Sequence, residues 1–306
     1  MSATTGSDRQ SGRLAPRSPP GPSLLLALAL VDLGRGRILF LSGGLRHSRA
    51  MTYNIPAHER ALAFDRAADA YAAHRPQYPA AVFETGEEFS GRRLAGARVA
   101  DVGTGTGIAA RQLRERGALV VGVEPGAGMA AQFRRELPGI PLVRGDGNRL
   151  PLADGSFDLV SYAQSWHWTD PARAVPSALR VLRPGGALAL WWNDPDLSVP
   201  WVTEQAARIE QWLGPGFYVS NVETPAGLCW KTRTLRWSRR VSVDVHLAKL
   251  ATHSAFIVLG ERRASAFLGA ERKHLARHFP DGELDEAYVT SVAVVLRPAQ
   301  GLFLSG

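Results

Sequence analysis

The chain has 306 residues, 45% of them hydrophobic and 21% charged, which excludes a fibrous or wholly disordered protein and suffices for one large domain or two small ones. Its single cysteine, Cys229, excludes an internal disulfide and a cysteine-based metal cluster, and fits a reducing, cytoplasmic setting. Of the net charge of +8, residues 1–50 hold +5 (seven arginines against two aspartates), so the remaining +3 on residues 51–306 argues against a nucleic-acid partner.

Residues 1–50 are rich in Ser, Gly, Pro and Arg, with one apolar run from Leu24 to Val31 that is far too short to cross a bilayer. Basic residues ahead of a short apolar run also occur in signal peptides. Here Asp32 and Arg35 follow at once and no small-x-small cleavage site stands nearby. The stretch is expected to be disordered or a mis-assigned extension, with Met51 as the alternative start.

Residues 51–95 read as a helical lid. Phe64, Ala68 and Tyr71 recur at helical spacing, Arg75-Pro76-Gln77-Tyr78-Pro79 ends that helix, and a second covers Ala80 to Phe89. Residues 96–200 alternate apolar runs with helical patterns. Strands are expected at Arg98–Val102, Leu119–Val123, Ile140–Val143, Phe157–Ala163 and Ala187–Trp192, with helices from Ile108, over Ala127–Glu136 and over Pro171–Leu182. The expected fold is α/β, a Rossmann-like doubly wound, mostly parallel sheet. Residues 201–306 form a C-terminal part with a helical acceptor-side insertion. It has helices at Trp201–Trp212, Val243–Leu259 and Arg263–His278, a loop at Gly214-Pro215-Gly216, and strands at Thr234–Val241 and Tyr288–Leu296.

The chemistry concentrates after the first core strand, in Asp101-Val102-Gly103-Thr104-Gly105-Thr106-Gly107. Glycines there let the backbone turn sharply and approach a cofactor without a Cβ in the way. Glu124, 21 residues after Gly103 at the end of the next strand, is placed to accept from ribose hydroxyls. Dinucleotide sites space their glycines Gly-x-Gly-x-x-Gly. In this chain the third glycine comes one residue early, and Asp101 would repel a pyrophosphate but attract a cationic amino-acid end.

At these residues the chain resembles the class I S-adenosylmethionine-dependent methyltransferases. The resemblance covers residues 60–195 and rests on four motifs in order: Asp101-x-Gly103-x-Gly105-x-Gly107; Val121-Gly122-Val123-Glu124-Pro125; Gly145-Asp146-Gly147 with Leu150-Pro151-Leu152 and Phe157-Asp158-Leu159-Val160; and Leu182-Arg183-Pro184-Gly185-Gly186. The opening Phe64-Asp65 to Tyr78-Pro79 segment and Ser165-Trp166-His167-Trp168 resemble a small-molecule branch that includes trans-aconitate-type methyltransferases. The resemblance implies S-adenosyl-L-methionine as cofactor, with Gly103, Thr104, Gly105 and Gly107 lining its methionine and ribose portion and Glu124-Pro125 at the ribose. It puts Asp146 and Gly147 at the adenine, Asp101 near the ammonium, Gln164 at the reactive end, and Tyr71 and Arg75 over the carboxylate. A small-molecule acceptor methylated at a carboxylate or hydroxyl oxygen follows, with no metal and no membrane partner. His167, just past the fourth core strand, is the candidate base.

Several features have blander readings. Trp191-Trp192 read as core, Trp166 and Trp168 as core or acceptor pocket, and His246, His253 and Ser254 as pocket lining or ordinary helix residues. The basic run Lys231 to Arg240, with Trp230 and Trp237, reads as a solvated strand face rather than a nucleic-acid surface. Asp194-Pro195 stands after the fifth core strand, where an amino-methylating motif would not. An RNA or protein methyltransferase, a non-catalytic cofactor binder and a nicotinamide dehydrogenase are the rival readings.

Overall fold

The computed structural model describes residues 30–32, 37–39, 68–213, 224–253, 256–257 and 260–298. The chain divides into two compact units, Met1–Ala50 and Met51–Gly306. In the first, β1 (Leu30–Asp32) pairs antiparallel with β2 (Arg37–Leu39). The other positions of 1–50, the part of the lid helix around Phe64, the Gly214–Gly216 loop and Ser254 lie outside the described residues.

The second unit is built on α1 (Ala68–His74), α2 (Ala80–Ser90), β3 (Arg98–Val102), α3 (Ile108–Glu115), β4 (Leu119–Glu124), α4 (Ala127–Glu136), β5 (Leu142–Arg144), β6 (Phe157–Ala163), α5 (Pro171–Val181), β7 (Leu182–Pro195), α6 (Pro200–Leu213), β8 (Lys231–Ser242), α7 (Val243–Ala251), α8 (Glu261–His278) and β9 (Glu283–Leu296). Its seven strands run in the order β5-β4-β3-β6-β7-β9-β8. The pairs from β5 to β7 are parallel, and β9 is antiparallel to both β7 and β8. The order reverses between β3 and β6, and such a switch point opens a crevice at the carboxyl ends of the strands.

The strand sequences explain their central position. Val99, Ala100 and Val102 of β3, and Val160 and Tyr162 of β6, are fully buried, as expected for strands covered on both faces. On one face Val99, Leu113, Val120, Phe133 and Trp191 share a core with Phe83 of α2. On the other, Val102, Val160, Tyr162, Leu188 and Trp192 pack with Ala178 and Val181 of α5. Trp191 and Trp192 thus enter opposite cores, as the two-residue period of a strand requires. Asp170 caps α5 by accepting from the Ala172 amide at 3.0 Å, with Pro171 just inside the first turn.

Four elements depart most from the sequence expectation. β7 starts five residues early because Leu182 already pairs with Phe157, and Arg183–Gly186 bulge out before Ala187 takes up the register opposite Leu159. β8 and β9 are longer than expected because they pair continuously, from Lys231 opposite Val294 to Ser242 opposite Glu283. The helix expected over Val243–Leu259 stops at Ala251. Thr252 turns its hydroxyl back onto the Lys249 carbonyl at 2.6 Å, while the Arg75 guanidinium binds Thr252 through both Oγ1 and the carbonyl oxygen, at 2.9 and 3.3 Å. A chain held this way leaves the helical path.

Candidate active site

A cavity of about 540 Å³ opens at the switch point, within the usual size range of small-ligand sites. Its floor is the glycine turn between β3 and α3. Gly103 and Thr104 both direct their amides at the Val123 carbonyl, at 2.8 and 3.1 Å. Gly103 has φ +64°, and a Cβ there would come within 2.5 Å of Ser165 Cβ, so the turn and the loop after β6 meet only through a glycine. Gly107 does different work from the role the resemblance implies. It lies outside the cavity lining, and a Cβ at its φ of +93° would run into Leu137 at 2.4 Å and Phe133 at 2.9 Å. It permits α4 to pack closely against the start of α3.

Two buried carboxylates flank the floor. Asp101 accepts from Thr104 Oγ1 at 2.6 Å and from Ser161 Oγ at 2.8 Å. Burial pushes its pKa up to about 6, and these two hydroxyls limit the rise. Glu124 accepts from the Gly105 amide through Oε2 at 2.9 Å and from the Gly126 amide through Oε1 at 2.7 Å. The turn and the acid at the end of β4 therefore brace each other.

The other walls come from distant segments. Asp146 and Gly147, after β5, line the cavity. Asn148 fixes Asp146 by donating to Oδ1 from its amide at 2.9 Å and its side chain at 3.0 Å, and Tyr162 donates to the Gly147 carbonyl at 2.9 Å. Pro125 lines the wall beside Glu124. Gln164 ends β6 with φ +58°, the one non-glycine residue with positive φ among the described residues. It donates from Nε2 to the Asn193 carbonyl at 2.8 Å. Its Oε1 and the Thr106 Oγ1, both on cavity-lining residues, are buried with no hydrogen-bond partner among the described residues. A strained glutamine and two orphaned buried oxygens mark a place shaped for a ligand.

Tyr71 and Arg75 close one side, the guanidinium lying 4.7 Å from the Tyr71 ring centroid. The Tyr78 hydroxyl is held far above the ordinary phenol range by burial, and then by the nearby Tyr71 and Asp101, while Arg75 pulls the other way. An anion and a cation thus stand around one buried hydroxyl.

Of the residues singled out in the sequence, the structure brings Tyr71, Arg75, Asp101, Gly103, Thr104, Gly105, Glu124, Pro125, Asp146, Gly147 and Gln164 to this cavity, together with Trp168 and His253. His167 is not brought there. The short 3₁₀ turn Trp166–Trp168 leaves it exposed against the Trp168 ring, at 4.8 Å between centroids, while Trp166 is buried beside Tyr162. Asn193, Lys249 and Tyr288 also line the cavity and were missed. No local motif marks them, because β7, α7 and β9 meet only through the long-range pairing of the C-terminal strands.

The basic run forms most of β8, and its arginines are paired: Arg233 with Glu88, Arg236 with Asp196, Arg239 with Glu286, and Arg240 with Asp281 and Asp285. Among the described residues no group of three His, Cys, Asp or Glu is placed to hold a metal ion. No described helix is long and apolar enough to cross a membrane.

Residues 100–190, which span the turn, Glu124, Asp146 and Gln164, match the methyltransferase domain family. The chain is 42% identical over 146 residues to an uncharacterized methyltransferase of Mycobacterium tuberculosis (strain ATCC 25618 / H37Rv), covering 48% of this chain and 58% of that protein. It is 37% identical over 132 residues to the demethylmenaquinone methyltransferase of Beutenbergia cavernae, covering 42% and 50%. The chain spans little more than half the length of the curated relatives it matches. A solved structure from Anaeromyxobacter dehalogenans, described as a candidate type II methyltransferase, shares the fold with a TM-score of 0.58 at 24% identity, over 74% of this chain and 99% of that one. Domain match and fold agree: residues 100–190 carry a methyltransferase domain on a class I, Rossmann-like α/β fold.

Proposed function

We propose that the protein is a cytoplasmic enzyme that transfers a methyl group from S-adenosylmethionine to a small molecule, at a carboxylate or hydroxyl oxygen. The observation that carries this reading is the placement, in one cavity, of Glu124, Asp101 and Arg75 around the glycine turn, with the unpartnered oxygens of Gln164 and Thr106 beside them. In this reading Glu124 takes the ribose hydroxyls and Asp146 with Gly147 takes the adenine edge. Asp101 holds the ammonium, while Arg75 beside Tyr71 holds the carboxylate. When bound, the cofactor supplies an electrophilic methyl on a positively charged sulfur.

What the chain contributes is alignment and exclusion of water. Holding a nucleophile in line with a leaving group supplies much of the rate of a displacement. Gln164, fixed through Asn193, lines the wall at the end of β6 and is set to orient the reacting groups. Tyr71, Tyr78, Trp168 and Tyr288 make the cavity aromatic and partly dry. A carboxylate acceptor needs no base. For a hydroxyl acceptor the groups in place are those lining the cavity, and His253 is among them.

Incubation with methyl-labelled cofactor and a library of small oxygen nucleophiles tests the reading. Label should appear in a small product in a protein-dependent manner. Label in added RNA or protein alone, or cofactor binding with no transfer to any acceptor, contradicts it.

Asp101 gives a pH signature. Its carboxylate must be charged to attract the ammonium, and in the free protein it takes up a proton as pH falls through about 6. Cofactor affinity measured by calorimetry is therefore expected to be flat from pH 7 to 8 and to fall by up to about tenfold per unit below pH 6. Asp101→Asn should bind more weakly and show no such fall; an unchanged slope in that variant refutes the assignment.

A further inference from the structure

Lys249 and Tyr288, which line the cavity, are backed by a set of charged groups that the cofactor reading leaves unused. Glu286, on β9 and 1% exposed, accepts from four donors: His246 Nδ1 at 2.6 Å, Lys249 Nζ at 2.8 Å, Arg239 Nε at 2.6 Å and the Tyr288 hydroxyl at 2.7 Å. Two of these donors are full cations facing one carboxylate. Burial pulls Lys249 below the ordinary ammonium range, while its 2.8 Å ion pair with the Glu286 carboxylate favours the charged form. Burial likewise pulls His253 well below its usual range, helped by Arg75 and Lys249, so His253 is neutral at pH 7 and adds no charge. The cluster therefore carries one positive charge in excess before Arg75 is counted.

Lys249 is where that excess meets the cavity. It is 6% exposed and lines the cavity, and its ammonium gives one hydrogen to Glu286 and one to the Tyr288 hydroxyl at 3.0 Å. An ammonium has three donors, and the third finds no acceptor among the described residues. A buried cation with a spare donor and uncompensated charge is unfavourable until an anion arrives.

We propose that Lys249, backed by Glu286 and Arg239, is an anchor for a carboxylate group on the methyl acceptor. This rests on the methyltransferase reading above. A single excess charge matches a monoanion, which favours a carboxylate over a phosphate dianion. A carboxylate paired with an ammonium is also a poor nucleophile, so the anchored group is distinct from the oxygen that is methylated. The substrate class is a small molecule bearing both a carboxylate and a separate oxygen nucleophile.

The test is calorimetry on the full chain saturated with S-adenosylhomocysteine, using butyrate, benzoate and phenylacetate, each against its neutral carboxamide, and inorganic phosphate. Carboxylates are expected to bind at least about tenfold more tightly than the matched amides, the value of one charge-assisted hydrogen bond. Lys249→Met should remove that preference and leave S-adenosylhomocysteine affinity within about twofold, and Lys249→Arg should restore it. Equal binding of carboxylates and amides by the wild-type protein overturns the proposal without reference to any variant. So does a preference that survives in Lys249→Met, or tighter binding of phosphate than of any carboxylate. Failure of S-adenosylhomocysteine itself to bind would instead remove the reading on which the anchor rests.

Discussion

Glu124→Ala is expected to weaken binding of S-adenosylmethionine by about 10²-fold. Two hydrogen bonds from ribose hydroxyls to a buried carboxylate amount to about 3 kcal/mol together, which corresponds to that factor. The same substitution strips acceptors from the Gly105 and Gly126 amides, which the carboxylate now receives at 2.9 and 2.7 Å. The turn that forms the floor of the cavity would lose its brace, so the loss has a binding and an ordering component. Glu124→Gln separates them. It preserves size, but its amide nitrogen must confront one of the two backbone donors, so it should fall between wild type and alanine. Calorimetry on the three proteins, with thermal unfolding of each without ligand, checks this. An affinity for Glu124→Ala within threefold of wild type would contradict the role.

The largest effect on stability is expected at Glu286. Its carboxylate is the shared acceptor for Lys249, Arg239, His246 and Tyr288. Removing it strands the buried Lys249 and the partly exposed Arg239, and breaks a chain that continues from His246 to Gln205, and from Gln205 to Glu271, which in turn binds Arg208 through both oxygens at 2.7 Å. Uncompensated buried charge costs about 3–5 kcal/mol, so Glu286→Ala should lower Tm by roughly 10 °C. Burial pulls the Glu286 carboxyl upward, but the His246 hydrogen bond and the Lys249 charge outweigh it and hold it far below the usual carboxylate range. A group depressed in this way stabilises the fold above its unfolded pKa of 4.5, and that stability is lost as pH falls below it. His246 acts in the same direction from a higher starting point. Burial, then Lys249, depress it from 6.5, so its contribution is also lost on acidification. The wild type should therefore lose stability steadily below about pH 6.5, and Glu286→Ala should show a shallower acid limb. Urea unfolding from pH 4 to 8 measures both. A difference below 1 kcal/mol at pH 7 would contradict the account.

These two acids show how unevenly the site is written in the sequence. Glu124 is legible because it ends a strand at a fixed distance from a glycine turn, and both features are local. The core strands and helices are legible for the same reason, since their apolar runs and glycine or proline breaks repeat on the scale of one element. Glu286 carries no such mark. Its partners Lys249, Arg239 and His246 come from two other elements, and only the continuous pairing of β8 with β9 brings them to it. The end of α7 is equally non-local, since Arg75 from far upstream holds Thr252 and halts the helix beside the cavity. Gly107 teaches a related lesson. Its place in a glycine motif points to a cofactor, whereas its need for glycine comes from Leu137 and Phe133 at the far end of another helix. His167 follows β6 directly, but a single 3₁₀ turn is enough to leave it exposed.

The central claim is that the crevice between β3 and β6 receives S-adenosylmethionine through Glu124 and Asp101. Calorimetric titration of the wild-type protein with S-adenosylmethionine, S-adenosylhomocysteine and NADH tests it most directly. The account predicts saturable one-to-one binding of the first two at micromolar concentrations, competition between them, and no heat from NADH. Saturable binding of NADH, or no binding of either adenosyl compound, would contradict it.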